Sequence, residues 1–103
     1  VIFNILNNTI EISKERNIKN TQVDINMGIN QETNKIRIEI EDNCGGVAED
    51  ALDKIFDPYY TTSHKTRGKG VGLFMSKTII ETNMQGELWV ENTQNGAKFI
   101  IEV

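Results

Sequence analysis

The sequence predicts a two-layer α/β sandwich, in which helices cover one face of a mixed, mostly antiparallel sheet. Two observations carry this prediction. Four short segments alternate apolar with polar residues, as half-buried strands do, and other segments repeat apolar residues at helical spacing. The chain has 103 residues, of which 38% are hydrophobic, so it has the size and apolar content of one small domain.

The predicted elements follow the order helix, strand, strand, helix, loop, helix, strand, strand. Helices are predicted at 1–16, 48–55 and 71 to about 84, and strands at 23–29, 36–41, 88–92 and 97–103. The last helix has the clearest pattern, a face formed by Val71, Phe74, Met75, Thr78, Ile79 and Thr82. Asn95-Gly96 before the final strand predicts a hairpin, and residues 56–69 predict a long loop.

Charge and cysteine content exclude several functional classes. The formal net charge is −4, which argues against a generic nucleic-acid-binding domain. Cys44 is the single cysteine, so an internal disulfide and a cysteine-rich zinc site are both excluded. No apolar run reaches the roughly 18–20 residues of a membrane span. Residues 59–70 carry a charge of +3 and the rest of the chain −7, so an acidic chain contains one basic loop.

The first candidate site is the run Asp42-Asn43-Cys44-Gly45-Gly46 at the end of an apolar strand. Glycines there allow a ligand to approach the backbone closely, and the Asp42 carboxylate can accept a hydrogen bond from an exocyclic amine such as that of adenine. These residue types are also common in an ordinary turn between a strand and a helix, and the run alone does not separate the two interpretations.

The second candidate is the glycine-rich run from Gly68 to Leu73 before the last helix. Unpaired N–H groups at a helix N-terminus favour phosphate binding, and Lys65, Arg67 and Lys69 add positive charge beside them. The spacing matches neither a P-loop nor a dinucleotide-binding fingerprint. A flexible linker that precedes a helix is the alternative.

The third candidate lies on the first helix, where Asn4, Asn8 and Glu11 share one face at spacings of four and three residues. Amide and carboxylate oxygens are ligands that suit Mg²⁺. A solvated polar helix face is the alternative, since the chain is rich in asparagine. His64 lies in the basic loop and is expected to be an exposed loop residue.

The order of these three signals resembles the catalytic, ATP-binding domain of bacterial sensor histidine kinases, within the histidine-kinase-like (GHKL) ATPase superfamily. Residues 4–8 match the N box, 42–47 the first glycine box, 55–62 the F box and 68–73 the second glycine box. Each box alone is weak evidence, but their order covers essentially the whole chain.

The resemblance implies a Bergerat fold that binds ATP and Mg²⁺, with residues 57–69 as a lid over the nucleotide. It implies catalytic roles for Asn4 and Asn8, with Asn8 as a metal ligand. It implies nucleotide contacts for Asp42, Gly46, Phe56, Lys65, Arg67, Gly68, Lys69, Gly70, Gly72 and Leu73. The implied reaction is transfer of the γ-phosphoryl group to a histidine of a dimerisation domain, upstream of a response regulator.

The resemblance also implies that residues 1–103 are a single catalytic domain, cut from a longer protein, and that this domain is cytoplasmic, at the cytoplasmic end of a membrane-associated sensor. The first helix has no start signal, and the phosphoacceptor domain is absent from the chain. Asn4 stands where ATP-hydrolysing relatives have a glutamate base, which favours phosphoryl transfer over hydrolysis. A GHKL-type ATPase, an anti-sigma-type serine kinase and a nucleotide-free docking module remain alternatives.

Overall fold

A computed structural model describes residues 1–58 and 72–103. The elements are α1 (Ile2–Glu15), β1 (Val23–Asn30), β2 (Lys35–Asp42), a 3₁₀ turn (Glu49–Ala51), α2 (Gly72–Thr78), which continues as a π-helical turn (Ile79–Asn83), β3 (Glu87–Asn92) and β4 (Ala97–Glu102). No helix in these two ranges is long and apolar enough to cross a membrane.

The four described strands form one sheet in the order β1-β2-β4-β3, and each neighbouring pair is antiparallel. One row of the register runs across all four strands as Ile25, Ile40, Phe99 and Val90. The predicted sandwich with a largely antiparallel sheet is therefore confirmed. The predicted strand positions are also confirmed, including the hairpin that joins β3 to β4.

The core lies between the sheet and the helices. Its buried residues are Ile5, Ile40, Ala51, Ile55, Ile80, Leu88, Phe99 and Ile101. Burying a side chain of this kind stabilises the fold by about 1.5–3 kcal/mol. Phe56 extends the core, because its ring meets the Phe99 ring edge-on at a centroid distance of 6.1 Å. The core thus fixes α1 and α2 against the strands that carry the candidate site.

The prediction that the first strand is half-buried was wrong. Met27 is 72% exposed and Ile29 is 65% exposed, although both alternate with polar residues as expected. The reason is position in the sheet, because β1 is one of the two edge strands of the described sheet and Val23 is its one apolar residue packed against the core. Alternation therefore identified the strand correctly but not its burial.

The predicted helix at 48–55 is a single 3₁₀ turn followed by further turns. No side chain caps its first N–H groups, and a segment of this length does not offset the cost of helix nucleation. Ala51 and Ile55 are nevertheless buried, so the segment covers one end of the core without being a regular helix.

The prediction of which face the last helix buries was also wrong. Ser76 and Ile80 are buried, whereas Met75 is 51% exposed and Thr78 and Thr82 are exposed. Threonine is only weakly apolar, and the buried Ser76 is a polar residue, so apolar spacing does not identify the buried face. Val71, the first residue of the predicted face, lies outside the described residues.

Candidate functional site

The carboxylate of Asp42, the last residue of β2, is held by donors from three separate parts of the chain. Its Oδ1 accepts hydrogen bonds from the backbone N–H groups of Cys44 (3.0 Å) and Ala97 (3.2 Å). Its Oδ2 accepts from the Thr9 hydroxyl of α1 at 3.2 Å. Asp42 is only 6% exposed, so the carboxylate has a fixed position in a nearly closed environment.

The turn that follows Asp42 has a backbone conformation that requires glycine. Gly45 and Gly46 have φ angles of 96° and 79°, which side-chain-bearing residues rarely adopt. Arg16, which follows α1, donates from Nη1 to the carbonyl oxygens of Cys44 (2.6 Å) and Gly46 (3.0 Å). The turn is thus tied to the end of α1 and is positioned directly beside the Asp42 carboxylate.

A second connection ties α1 to the start of α2. The Asn4 amide donates from Nδ2 to the Gly72 carbonyl oxygen (3.2 Å) and to the Ser76 hydroxyl oxygen (3.1 Å). Ser76 in turn donates to the same Gly72 carbonyl oxygen at 2.9 Å. Asn8 lies one helical turn after Asn4 and is half-buried. Gly72, the last glycine of the second glycine run, therefore lies against the asparagine face of α1.

Comparison with known proteins identifies the family. The family model of the histidine kinase-, DNA gyrase B- and HSP90-like ATPases matches residues 1–103. The chain belongs to this ATPase family.

The similar proteins include a sporulation kinase and two sensor proteins. Sporulation kinase E of Bacillus subtilis is 38% identical over 94 residues, which are 91% of this chain and 12% of that protein. The sensor protein TdiS of Thauera aromatica is 34% identical over 100 residues, and RprX of Bacteroides fragilis is 33% identical over 106 residues. These two alignments cover 96% and 98% of this chain but only 18% and 20% of the relatives.

Solved structures of the catalytic domain of histidine kinase ThkA have the same fold. One nucleotide-free form matches with a TM-score of 0.76 at 33% identity, and the match covers 97% of this chain and 60% of that chain. A second form matches with a TM-score of 0.75 at 30% identity. The described sheet and helices are thus those of a histidine kinase catalytic domain in this ATPase family.

The structure places Phe56 and Leu73 against the core. Phe56 contacts Phe99, and the Lys77 ammonium lies 5.0 Å from the centroid of its ring. Leu73 is half-buried and packs on the same core. Neither side chain joins the hydrogen bonds around Asp42, so the nucleotide contacts expected of these two residues stay predictions.

Five of the predicted nucleotide-binding residues lie outside the described residues, and their roles also stay predictions. They are Lys65, Arg67, Gly68, Lys69 and Gly70. His64 lies outside them as well. The predicted site residues that the structure describes also include Asn4 and Asn8 on α1, Asp42 with Gly46 in the turn after β2, and Gly72.

Sequence reasoning missed Thr9 and Arg16, which hold Asp42 and the turn that follows it. Thr9 follows Asn8 directly and faces the core, and its partner Asp42 lies 33 positions away. The two acceptors of Arg16 are backbone carbonyls more than 25 positions away. A contact of that kind leaves no pattern in the sequence.

Cys44 is a buried free thiol. It is 1% exposed. Burial raises the pKa of the Cys44 thiol, and the neighbouring Asp42 carboxylate raises it further. The thiol therefore stays protonated at neutral pH and fills space behind the glycine turn.

Proposed function

We propose that this chain is the ATP-binding catalytic domain of a sensor histidine kinase and that it donates the γ-phosphoryl group of ATP to a histidine on a separate dimerisation domain. The observation that supports this most directly is the buried Asp42 carboxylate, held by three donors beside two glycines at positive φ. Membership of the ATPase family and the likeness to sensor kinases support the same assignment.

Asp42 supports recognition of an adenine base. A carboxylate has about four acceptor positions, and the described donors use three of them, two on Oδ1 and one on Oδ2. A ligand that places a hydrogen-bond donor at Oδ2 would use the fourth. The 6-amino group of adenine is such a donor, whereas the 6-carbonyl of guanine would place an acceptor against a carboxylate oxygen, which is unfavourable.

The asparagine face of α1 and Gly72 are proposed to meet the phosphates. Asn4 already contacts Gly72, the last residue of the glycine run that the sequence assigns to phosphate binding. The basic residues Lys65, Arg67 and Lys69 are proposed to lie over the same phosphates, where their charge would offset that of the nucleotide. The proposed lid and its attachment to the core are completed by Phe56, Gly68, Gly70 and Leu73.

The asparagine face of α1 offers amide oxygens as ligands for a magnesium ion, which the phosphates of the nucleotide would help to hold. Mg²⁺ in proteins is commonly held by few protein ligands together with phosphates and water. Asn8 would supply its amide oxygen. Bound Mg²⁺ would supply charge neutralisation at the phosphates.

Asn4 favours phosphoryl transfer to a side chain over hydrolysis. Its amide donates to Gly72 and Ser76, and an amide cannot take a proton from water as a carboxylate base does. The contribution of this chain to the reaction would be to position ATP and to offset its charge.

The partners of the proposed kinase lie outside this chain. The chain spans 12–20% of the three curated relatives described above, so the phosphoacceptor domain would belong to another part of a longer polypeptide. Its product would serve a response regulator, and its use of ATP implies a cytoplasmic location.

Calorimetry with a non-hydrolysable ATP analogue tests the proposal. We expect binding that strengthens with Mg²⁺ and that Asp42→Asn weakens at least about tenfold, since the buried carboxylate would be the principal contact to the base. Asp24→Asn is the matched control, because Asp24 is exposed on the edge strand β1. Lack of binding up to millimolar analogue would refute nucleotide binding, and steady ATP turnover by the chain alone would favour a GHKL-type ATPase.

A further inference from the structure

The hydroxyl of Thr9 is a buried polar group in the middle of α1. Thr9 is 1% exposed and lies on the core face of the helix, one turn after Ile5, which is fully buried. A hydroxyl in such a place is costly unless it is hydrogen-bonded. Its partner is the Asp42 Oδ2 atom at 3.2 Å, across 33 positions of sequence.

The two oxygens of Asp42 are held in different ways. Oδ1 is held by the backbone N–H groups of Cys44 and Ala97, whose positions are set by the turn and by β4. Oδ2 is held, among the described residues, by the Thr9 side chain. The orientation of the carboxylate plane about the fixed Oδ1 therefore depends on Thr9.

We propose that Thr9 is a positioning residue that sets the base selectivity of the site, an inference that rests on the proposed nucleotide binding. By donating to Oδ2, the hydroxyl occupies one acceptor position of that atom and directs the other toward the ligand. A carboxylate fixed in this orientation accepts from an amino group at position 6 of a purine and repels a carbonyl at the same position.

Two substitutions at Thr9 separate the effect of its hydroxyl group from the effect of its side-chain shape. Thr9→Val replaces the hydroxyl by a methyl group of similar size and keeps the branched side chain in the core. Thr9→Ser keeps the hydroxyl and removes the methyl group. If Thr9 acts only through packing, the change in nucleotide binding should depend on the loss of packing contacts. If Thr9 positions the carboxylate, nucleotide binding should change when the hydroxyl is removed and not when it is kept.

The test compares dissociation constants of the 103-residue chain for ATP and for inosine triphosphate, which carries a carbonyl in place of the 6-amino group. We expect Thr9→Val to lower the affinity for ATP about three- to tenfold, the range for loss of one hydrogen bond, and to change the affinity for inosine triphosphate less than about twofold. Thr9→Ser should retain the wild-type preference. Thr33→Val, the same change at an exposed turn residue, should alter neither constant.

Thermal unfolding followed by circular dichroism establishes that each variant is folded, and Thr9→Ala takes the place of Thr9→Val if valine prevents folding. Equal losses for both nucleotides, an unchanged preference, or a wild-type chain without preference would overturn the role of Thr9 and leave ATP binding intact. A wild-type chain that binds neither nucleotide would overturn the proposed function, and this inference with it.

Discussion

The side-chain amide of Asn92 forms hydrogen bonds with both backbone groups of Val47. Val47 donates its N–H to Asn92 Oδ1 at 2.8 Å, and Asn92 Nδ2 donates to the Val47 carbonyl oxygen at 2.6 Å. The amide therefore pairs with Val47 as a neighbouring strand would. It connects the end of β3 to the residue directly after Gly46 and so anchors the glycine turn on the side opposite Arg16.

Loss of this anchor should loosen the turn. We expect Asn92→Ala to lower the free energy of unfolding by about 1–2 kcal/mol, the net value of two hydrogen bonds, and to weaken ATP binding, because Gly46 would lose a fixed neighbour. Urea unfolding and calorimetry measure the two effects. Asn26→Ala, at an exposed position of β1, should change neither quantity. Wild-type stability and affinity in Asn92→Ala would show that the turn does not need this pair.

Gly46 should not tolerate a side chain. Its φ is 79°, and a Cβ atom there would lie 2.8 Å from Asn92 Oδ1 and 3.2 Å from the Gly96 carbonyl oxygen. We expect Gly46→Ala to destabilise the fold by about 1–3 kcal/mol, because both the backbone angle and the contacts oppose it. Gly28→Ala is the control, since a Cβ at Gly28 meets nothing within 4 Å. Equal unfolding midpoints for the two variants would contradict the prediction.

Most of the architecture could be predicted from the sequence because the strands alternate and the hairpin carries an Asn95-Gly96 turn. The burial of individual residues was predicted less accurately than the positions of the strands. Met27 has the same pattern as Ile38, its partner in the register, yet Met27 is 72% exposed and Ile38 is half-buried. The difference arises from strand order, which determines how far the helices cover the sheet and which no local pattern encodes.

In the candidate site, too, features set by local sequence could be predicted and features set by tertiary packing could not. Asp42, Gly46 and Asn4 could be identified from local motifs, because each belongs to a short run with recognisable chemistry. The groups that hold them could not, since Thr9 reaches Asp42 across 33 positions and Asn92 reaches Val47 across 45. Such supporting contacts depend on tertiary packing, and the residues that form them have many other roles in proteins.

The contribution of Asn4 to the stability of the fold should depend on its amide nitrogen. Asn4→Asp replaces an N–H donor with an oxygen that faces the Gly72 carbonyl oxygen, where the present amide donates at 3.2 Å. We expect a loss of about 1–3 kcal/mol in the free energy of unfolding, since two hydrogen bonds would be broken and two acceptors would face each other. Asn7→Asp, at an exposed position of the same helix, controls for the added charge. Equal losses in both variants would exclude a specific role for the Asn4 amide.

Asn8 should affect the metal dependence of binding more than stability. We expect Asn8→Ala to remove most of the gain in nucleotide affinity that Mg²⁺ provides and to change the free energy of unfolding by only about 0.5 kcal/mol, because the side chain is half-buried and outside the core. Calorimetry with and without Mg²⁺ measures the gain. Asn7→Ala, one position earlier, should leave it unchanged. A full Mg²⁺ effect in Asn8→Ala would remove Asn8 from the proposed metal site.

Glu102 at the end of β4 is 6% exposed and lies in a polar network with Asn30 and Arg37. Its Oε2 accepts from Asn30 Nδ2 at 3.0 Å and from Arg37 Nη1 at 2.9 Å. The Arg37 guanidinium also lies 5.6 Å from the centroid of the Trp89 ring. The hydrogen bond from Asn30 and then that from Arg37 lower the pKa of Glu102, because both donors favour the ionised carboxylate.

A carboxyl group whose pKa is lower in the folded state contributes stability above its ordinary pKa, and this contribution is lost as the pH falls through the lower pKa of the folded state. We therefore expect the urea midpoint to fall as the pH is lowered below 4.5, the ordinary pKa of the group, and to fall less in Glu102→Gln, which should also be less stable at pH 7. Glu87→Gln is the matched control, because Glu87 is exposed directly opposite Glu102 on β3. If Glu102→Gln keeps the pH dependence of the wild type while Glu87→Gln loses it, the acid-sensitive carboxylate is Glu87 and not Glu102.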